Sequence, residues 1–137
     1  MDIFKREVFR QKTVITLKVH TLDASNARSV SRRVAEAMKG VRQMVVDLGS
    51  LRYFDLAGFA VILKWASGEG PEVRFCSQSG AVQALFELLG GNAMVPLFFS
   101  REEAMASFQA SVNHPARAIN GLTPEFEEDQ LDARRAV

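Results

Sequence analysis

The side chains that most often carry out chemistry are scarce in this sequence, which holds two histidines, His20 and His114, and one cysteine, Cys76. A zinc site needs three or four ligands at close spacing, as in HExxH on one helical face, and neither histidine sits in such a frame. A single thiol excludes an intramolecular disulfide and a Cys-based metal site. A nucleophilic Ser or Cys works from a sharp turn beside a base. Cys76 instead closes the apolar run Val73-Arg-Phe-Cys76, where a small buried hydrophobe fits. Phosphate cradles place clustered glycines ahead of a helix, so that backbone N–H groups can approach the anion. Gly68-Glu-Gly70 follows a helical pattern and precedes a strand, so it reads as a turn, and Gly90-Gly91-Asn92 reads as a helix exit. These residue types argue against an enzyme, and neither cofactor nor metal is expected.

The informative stretch is Val45-Val-Asp-Leu-Gly-Ser-Leu-Arg-Tyr-Phe-Asp-Leu-Ala-Gly-Phe59. A buried strand leads through a short loop to Asp55, whose carboxylate can accept from the unpaired N–H groups of a helix's first turn. The helix expected there, 57–66, is apolar on nearly every side. Only Lys64 faces solvent evidently, so this should be the most buried helix of the domain.

Other elements must hold that stretch in place. Residues 3–9 and 14–19 read as two strands, the second alternating Ile15, Leu17 and Val19 with Thr16 and Lys18. Their connection, 10–13, lacks Gly, Asn or Pro. From Asp23 the period becomes helical, with Ala27, Val30, Val34, Ala37 and Met38 on one face, Asp23 or Ser25 as cap, and Gly40 as the stop. Strands follow at 44–48, 73–76 and 95–99. Helices follow at 80–89 and after Ser100, where Glu103 completes a capping-box spacing and Ala104, Met105 and Phe108 form the apolar face. This order predicts an α/β domain with a mostly parallel sheet of about five strands, an added N-terminal strand and about four helices.

The chain's 137 residues, 47% apolar and 24% charged, suit one globular domain. No apolar run approaches the roughly 18 residues of a membrane helix, and the start, MDIFKREVFR, has no signal-peptide core. A cytoplasmic protein is therefore expected. Residues 1–110 carry 14 Lys and Arg against 11 Asp and Glu, whereas 111–137 carry 3 against 5. The basic residues are interleaved with acidic and apolar ones, a pattern that does not call for nucleic acid. Turn signals at Asn113-His-Pro, Asn120-Gly and Thr123-Pro, and the acidic run 125–129, mark 111–137 as a mobile tail beyond a domain spanning 1–110. Leu122, Phe126 and Leu131 leave a weak amphipathic helix as the alternative there.

Around Asp55 the chain resembles the STAS family, the anti-sigma-factor antagonist domains. In that family an apolar strand and loop precede an aromatic or apolar pair, then Asp-Ser-Ser/Thr-Gly and a buried helix. Leu22-Asp-Ala-Ser-Asn-Ala27 is similar to the family's entry to its first helix. Gly70-Pro-Glu-Val-Arg-Phe-Cys76 is similar to the strand after the buried helix, and Ser100-Arg-Glu-Glu-Ala104 to the start of the last helix. The resemblance covers about residues 3–108. It implies a bacterial regulatory binding module that switches partners in transcription control, with an anti-sigma factor or histidine-kinase-like switch protein as partner. Neither nucleic acid binding nor membrane insertion is expected, and there is room for a weak homodimer.

The resemblance further implies a partner-binding surface at Asp23, Ser25, Asn26, Arg28, Tyr53, Asp55, Leu56, Ala57, Gly58 and Phe59. The hydroxyl that a kinase phosphorylates in the family falls at Leu56, and the second hydroxyl position falls at Ala57, so neither can carry phosphate. Two readings of that substitution stay open: a loop that has lost its role, or a member fixed in the unphosphorylated, binding form. Ser50 is a nearby alternative hydroxyl. Phe59 could lie on the contact surface or in the core, and Arg28, Arg32 and Arg33 read as a solvated helix face. The rival functions are a structural or sensory STAS module in a transporter, a lipid-transport complex or a multi-STAS assembly, and a small enzyme or nucleotide binder in the same frame.

Overall fold

A computed structural model describes residues 3–113. Two compact units divide the chain, 1–104 and 105–137. All the elements below belong to the first, apart from the later part of the last helix. That helix runs through Asn113, past residue 110, and the rest of the expected tail, with His114, lies outside the described residues.

The first two strands, β1 (Phe4–Phe9) and β2 (Lys12–Leu17), form an antiparallel hairpin in which Phe9 pairs with Lys12. The connection is thus two residues, Arg10 and Gln11, not the four expected. Both have positive φ, 50° and 70°. That geometry matches the right-handed twist of the strands, and so it is adopted without the Gly or Asn that makes it cheap.

The main sheet adds three parallel strands, β4 (Gln43–Asp47), β6 (Glu72–Cys76) and β7 (Leu97–Phe98), in the order β1-β2-β4-β6-β7. The N-terminal strand is one of the five. The last strand is shorter than the expected 95–99, because Pro96 has no N–H for a ladder and Val95 closes a one-turn helix, α4 (Gly91–Met94). Two further segments, β3 (Thr21–Leu22) and β5 (Tyr53–Phe54), make a separate parallel ladder. Two-residue strands have no period to read in a sequence, and this pair was not expected.

Four longer helices complete the fold: α1 (Ala27–Met38), α2 (Leu56–Ser67), α3 (Gly80–Leu88) and α5 (Arg101–Asn113). The core joins Ile15, Leu17, Met44, Val46 and Phe75 of the sheet to Val30 and Val34 of α1, Phe59, Ile62 and Trp65 of α2, and Val82 and Phe86 of α3. Phe54, Phe59 and Phe86 meet with ring centroids 5.6–6.0 Å apart, one pair stacked and two edge-to-face. Gly91 packs against that cluster, and a Cβ there would sit 3.0 Å from both Phe59 and Phe86. Trp65 buries its indole N–H with no partner among the described residues, at a cost of about 1–3 kcal/mol.

On the other face of the sheet, the Arg101 guanidinium donates to Asp47 (2.7 Å), Glu7 (3.2 Å) and Thr16 (2.7 Å). These three residues stand on β4, β1 and β2, so one side chain ties the start of the last helix to three strands. The Asp47 bond, ahead of the other contacts, raises the affinity of Arg101 for its proton.

The tightest approach is where α2 meets β3. Gly58 is buried, and a Cβ there would collide with the Leu22 carbonyl oxygen and lie 2.9 Å from its carbon and 3.0 Å from Phe54 Cβ. Backbone cannot swing aside as a side chain can, so Gly58→Ala should cost about 3 kcal/mol of folding stability, read by urea unfolding. Wild-type stability for that variant would contradict the packing described.

Candidate functional site

Asp55 stands between β5 and α2 in extended backbone, and its two carboxylate oxygens do different jobs. Oδ1 accepts from the Gly58 N–H at 2.9 Å and so caps α2. Oδ2 accepts from the Ala24 N–H at 3.2 Å, in the loop before α1. Its backbone joins the same seam: the Asp55 N–H donates to Leu22 O (3.3 Å) and its carbonyl accepts from the Phe59 N–H (2.8 Å). Below it, Thr21 pairs with Tyr53 and Leu22 with Phe54. The 21–26 and 53–58 segments are thereby one connected surface.

The 23–26 loop also carries bonds of its own. Asp23 Oδ1 accepts from the Ser25 N–H (3.0 Å) and the Ser25 hydroxyl (2.5 Å). Asn26 turns its side chain back, accepting from the Asp23 N–H (2.9 Å) and donating to Thr21 O (2.8 Å). The Ser25 hydroxyl is the main cause of an Asp23 carboxyl held below its ordinary range, with desolvation opposing it. These bonds correct the expected cap of α1. Asn26, not Asp23 or Ser25, is the N-cap residue, and its side chain does not cap because the loop has already engaged it. The Asp23 carbonyl takes the N–H groups of Asn26 and Ala27 instead.

The structure sorts the expected site residues into two groups. Leu56 is 71% exposed and Tyr53 50% exposed, and both are large apolar or aromatic side chains set in water. Ala24, Ser25 and Arg28 are exposed beside them, while Asp23, Asn26, Asp55 and Ala57 are half-buried. Gly58 and Phe59 are buried. Phe59, only 7% exposed, belongs to the aromatic cluster of the core and not to the surface, because the cap at Asp55 rotates that position inward. Sequence reasoning missed Ala24, whose part is played by a backbone N–H that leaves no mark on residue type.

The surface offers little covalent chemistry. Positions 56 and 57 carry no hydroxyl. Cys76 is buried, and burial first, then the neighbouring Asp47, pushes its thiol up to about 12, so it stays protonated and unreactive at neutral pH. Among the described residues, no group of three or more His, Cys, Asp and Glu is placed to hold a metal ion. No helix among them is long and apolar enough to cross a membrane. What the site presents is an exposed apolar and aromatic pair on a hydrogen-bonded support.

Known proteins are similar to this chain in sequence or in fold. A candidate anti-sigma factor antagonist of Bordetella bronchiseptica, BtrV, is 32% identical over 95 residues, 66% of this chain and 82% of its own length. An anti-sigma factor antagonist from Mycobacterium paratuberculosis superposes with a TM-score of 0.67 at 14% identity, over 77% of this chain and 92% of that one. The murine anion transporter Slc26a9 superposes with a TM-score of 0.63 at 16% identity, over 76% of this chain and 18% of the transporter. At such identities the two structural likenesses speak for the fold alone. The family described as "Mlab, STAS domain" matches residues 10–96, more than half of the sequence, and the chain therefore belongs to the STAS domain family.

Proposed function

We propose that this protein is a non-enzymatic regulatory binding module of the anti-sigma-factor-antagonist kind. It engages an anti-sigma factor or a related histidine-kinase-like switch protein through the surface built by 23–28 and 53–57. One observation carries the reading: the Asp55 carboxylate joins both loops, and Leu56 and Tyr53 stand exposed on the joined surface. Exposed apolar and aromatic groups on a rigid support suit protein recognition, since little conformational entropy is lost when they are covered.

The same position explains how this member is regulated. Leu56 opens α2 directly after the cap, where a phosphate would meet free N–H groups and the positive end of the helix dipole. A phosphorylated hydroxyl there adds about −1.5 to −2 charges to the contact surface and switches partners. Leu56 cannot accept phosphate, so the module is fixed in its binding form, and control must act on the partner.

Two experiments test the proposal. Titration calorimetry against the host's histidine-kinase-like anti-sigma factors should show binding that Leu56→Glu weakens at least about tenfold, about 1.4 kcal/mol, with the circular dichroism spectrum unchanged. An absence of binding to all of them, with a permease co-purifying instead, would favour the transporter-associated reading. Incubation with a cognate kinase and ATP should leave residues 55–58 unmodified by mass spectrometry, and Leu56→Ser should create a phosphorylation site. Phosphate found on Ser50 or another nearby hydroxyl of the unaltered protein would overturn the idea of a fixed state.

A further inference from the structure

A second surface runs along α1 and α2 from the first turn of α1, sharing only Arg28 with the loop-end surface. The two helices leave between them a groove of about 520 Å³ lined by Arg28, Ser31, Arg32, Ala35, Ala60, Val61 and Lys64. Ala35 and Ala60 are exposed and Val61 is half-buried, so the floor is made of small apolar groups in contact with water. The rim carries three cations and no anion. None of the three makes an ion pair among the described residues, although α1 has an acidic residue, Glu36, which pairs with Lys39 (3.2 Å).

We propose that this groove docks an acidic amphipathic helix of a partner protein, with Arg28, Arg32 and Lys64 reading its carboxylates. Arg28 and Arg32 are four residues apart, one helical turn, so they stand one above the other on α1. Lys64 follows Ala60 by the same spacing on α2. A like-charge pair at that spacing repels and weakens an isolated helix, and a third cation on the facing helix adds to the repulsion. A face that was merely solvated would gain from mixed signs, whereas an anionic occupant removes the repulsion altogether.

The shape selects a helix. Exposed alanines contributed by both helices let a third helix approach closely, with its apolar stripe on Ala35, Ala60 and Val61. Glutamates on consecutive turns then fall about 6 Å apart along the axis, in step with Arg28 and Arg32. The occupant is a partner protein's segment and not nucleic acid, because a phosphate backbone would use the cations and leave the apolar floor uncovered.

The test uses the full chain and a synthetic amphipathic helical peptide of about five turns, with Glu on consecutive turns beside a Leu/Ala stripe, and its Glu→Gln counterpart. Fluorescence anisotropy at low salt should show binding of the Glu peptide. Combined Arg32→Glu and Lys64→Glu substitution should weaken it about tenfold, as should raising the salt, and the Gln peptide should not bind. Arg42→Glu, in a different surface depression shared with Arg10 and Gly40, should leave it unchanged. Amide shifts in nuclear magnetic resonance should fall on Ser31, Ala35, Ala60 and Val61. The groove shares Arg28 with the loop-end surface, but the test substitutes only Arg32 and Lys64, so the proposal fails separately from the loop-end function. It is overturned by no binding, by an equal loss with Arg42→Glu, or by shifts confined to 53–57. It is also overturned by a sedimenting dimer of the chain alone that the double substitution dissolves, which would make the groove a self-interface.

Discussion

A single carboxylate couples two parts of the chain that are 31 residues apart. Asp55 ends a loop and begins a helix, a position where an acidic cap is common and where one oxygen would be enough. Its second oxygen reaches the Ala24 N–H, so the bond that starts α2 also holds the loop that starts α1. That double use adds a side-chain link to the backbone pairing of β3 with β5. Without it, the β3–β5 ladder and the Gly58 contact would still join the two segments, but the start of α2 and the 23–26 loop would lose the side-chain link between them.

The bond is possible because the packing beneath it allows no slack. Gly58 brings α2 against the Leu22 carbonyl, and the rings of Phe54, Phe59 and Phe86 lock the start of α2 to β5 and α3. Gly90, with its positive φ of 73°, and Gly91, with no Cβ, let the chain turn past those rings. On the opposite face Arg101 fixes three strands at once. The exposed end is therefore a surface on a stiff support, which is what recognition at low entropic cost requires.

Much of this was legible in the residues. The alternation in β2, the helical period of α1, the all-apolar α2 and the aspartate ahead of it led to the right order of the longer elements and the right cap for α2. What was not legible lay in backbone groups and in very short pairings. The β3–β5 ladder is two residues long, the Ala24 contact uses a main-chain N–H, and Pro96 shortened the last strand where hydrophobicity alone extended it. Gly58 and Phe59 were the candidate site residues that proved to be buried, and of the two Phe59 brings a large side chain into the core. An aromatic residue one turn into a helix can face either way until the cap fixes the helix's rotation, and here the Asp55 to Gly58 bond fixes it.

The claim that Asp55 couples the two loops is tested most directly by backbone order parameters in Asp55→Ala, measured by nuclear magnetic resonance relaxation. The account requires residues 23–26 to gain fast mobility together with 56–58, with order parameters falling from about 0.85 toward 0.6 in both segments while the sheet is unchanged. A variant in which only 56–58 loosen, with 23–26 as ordered as before, would show that the loops are held independently and would contradict it.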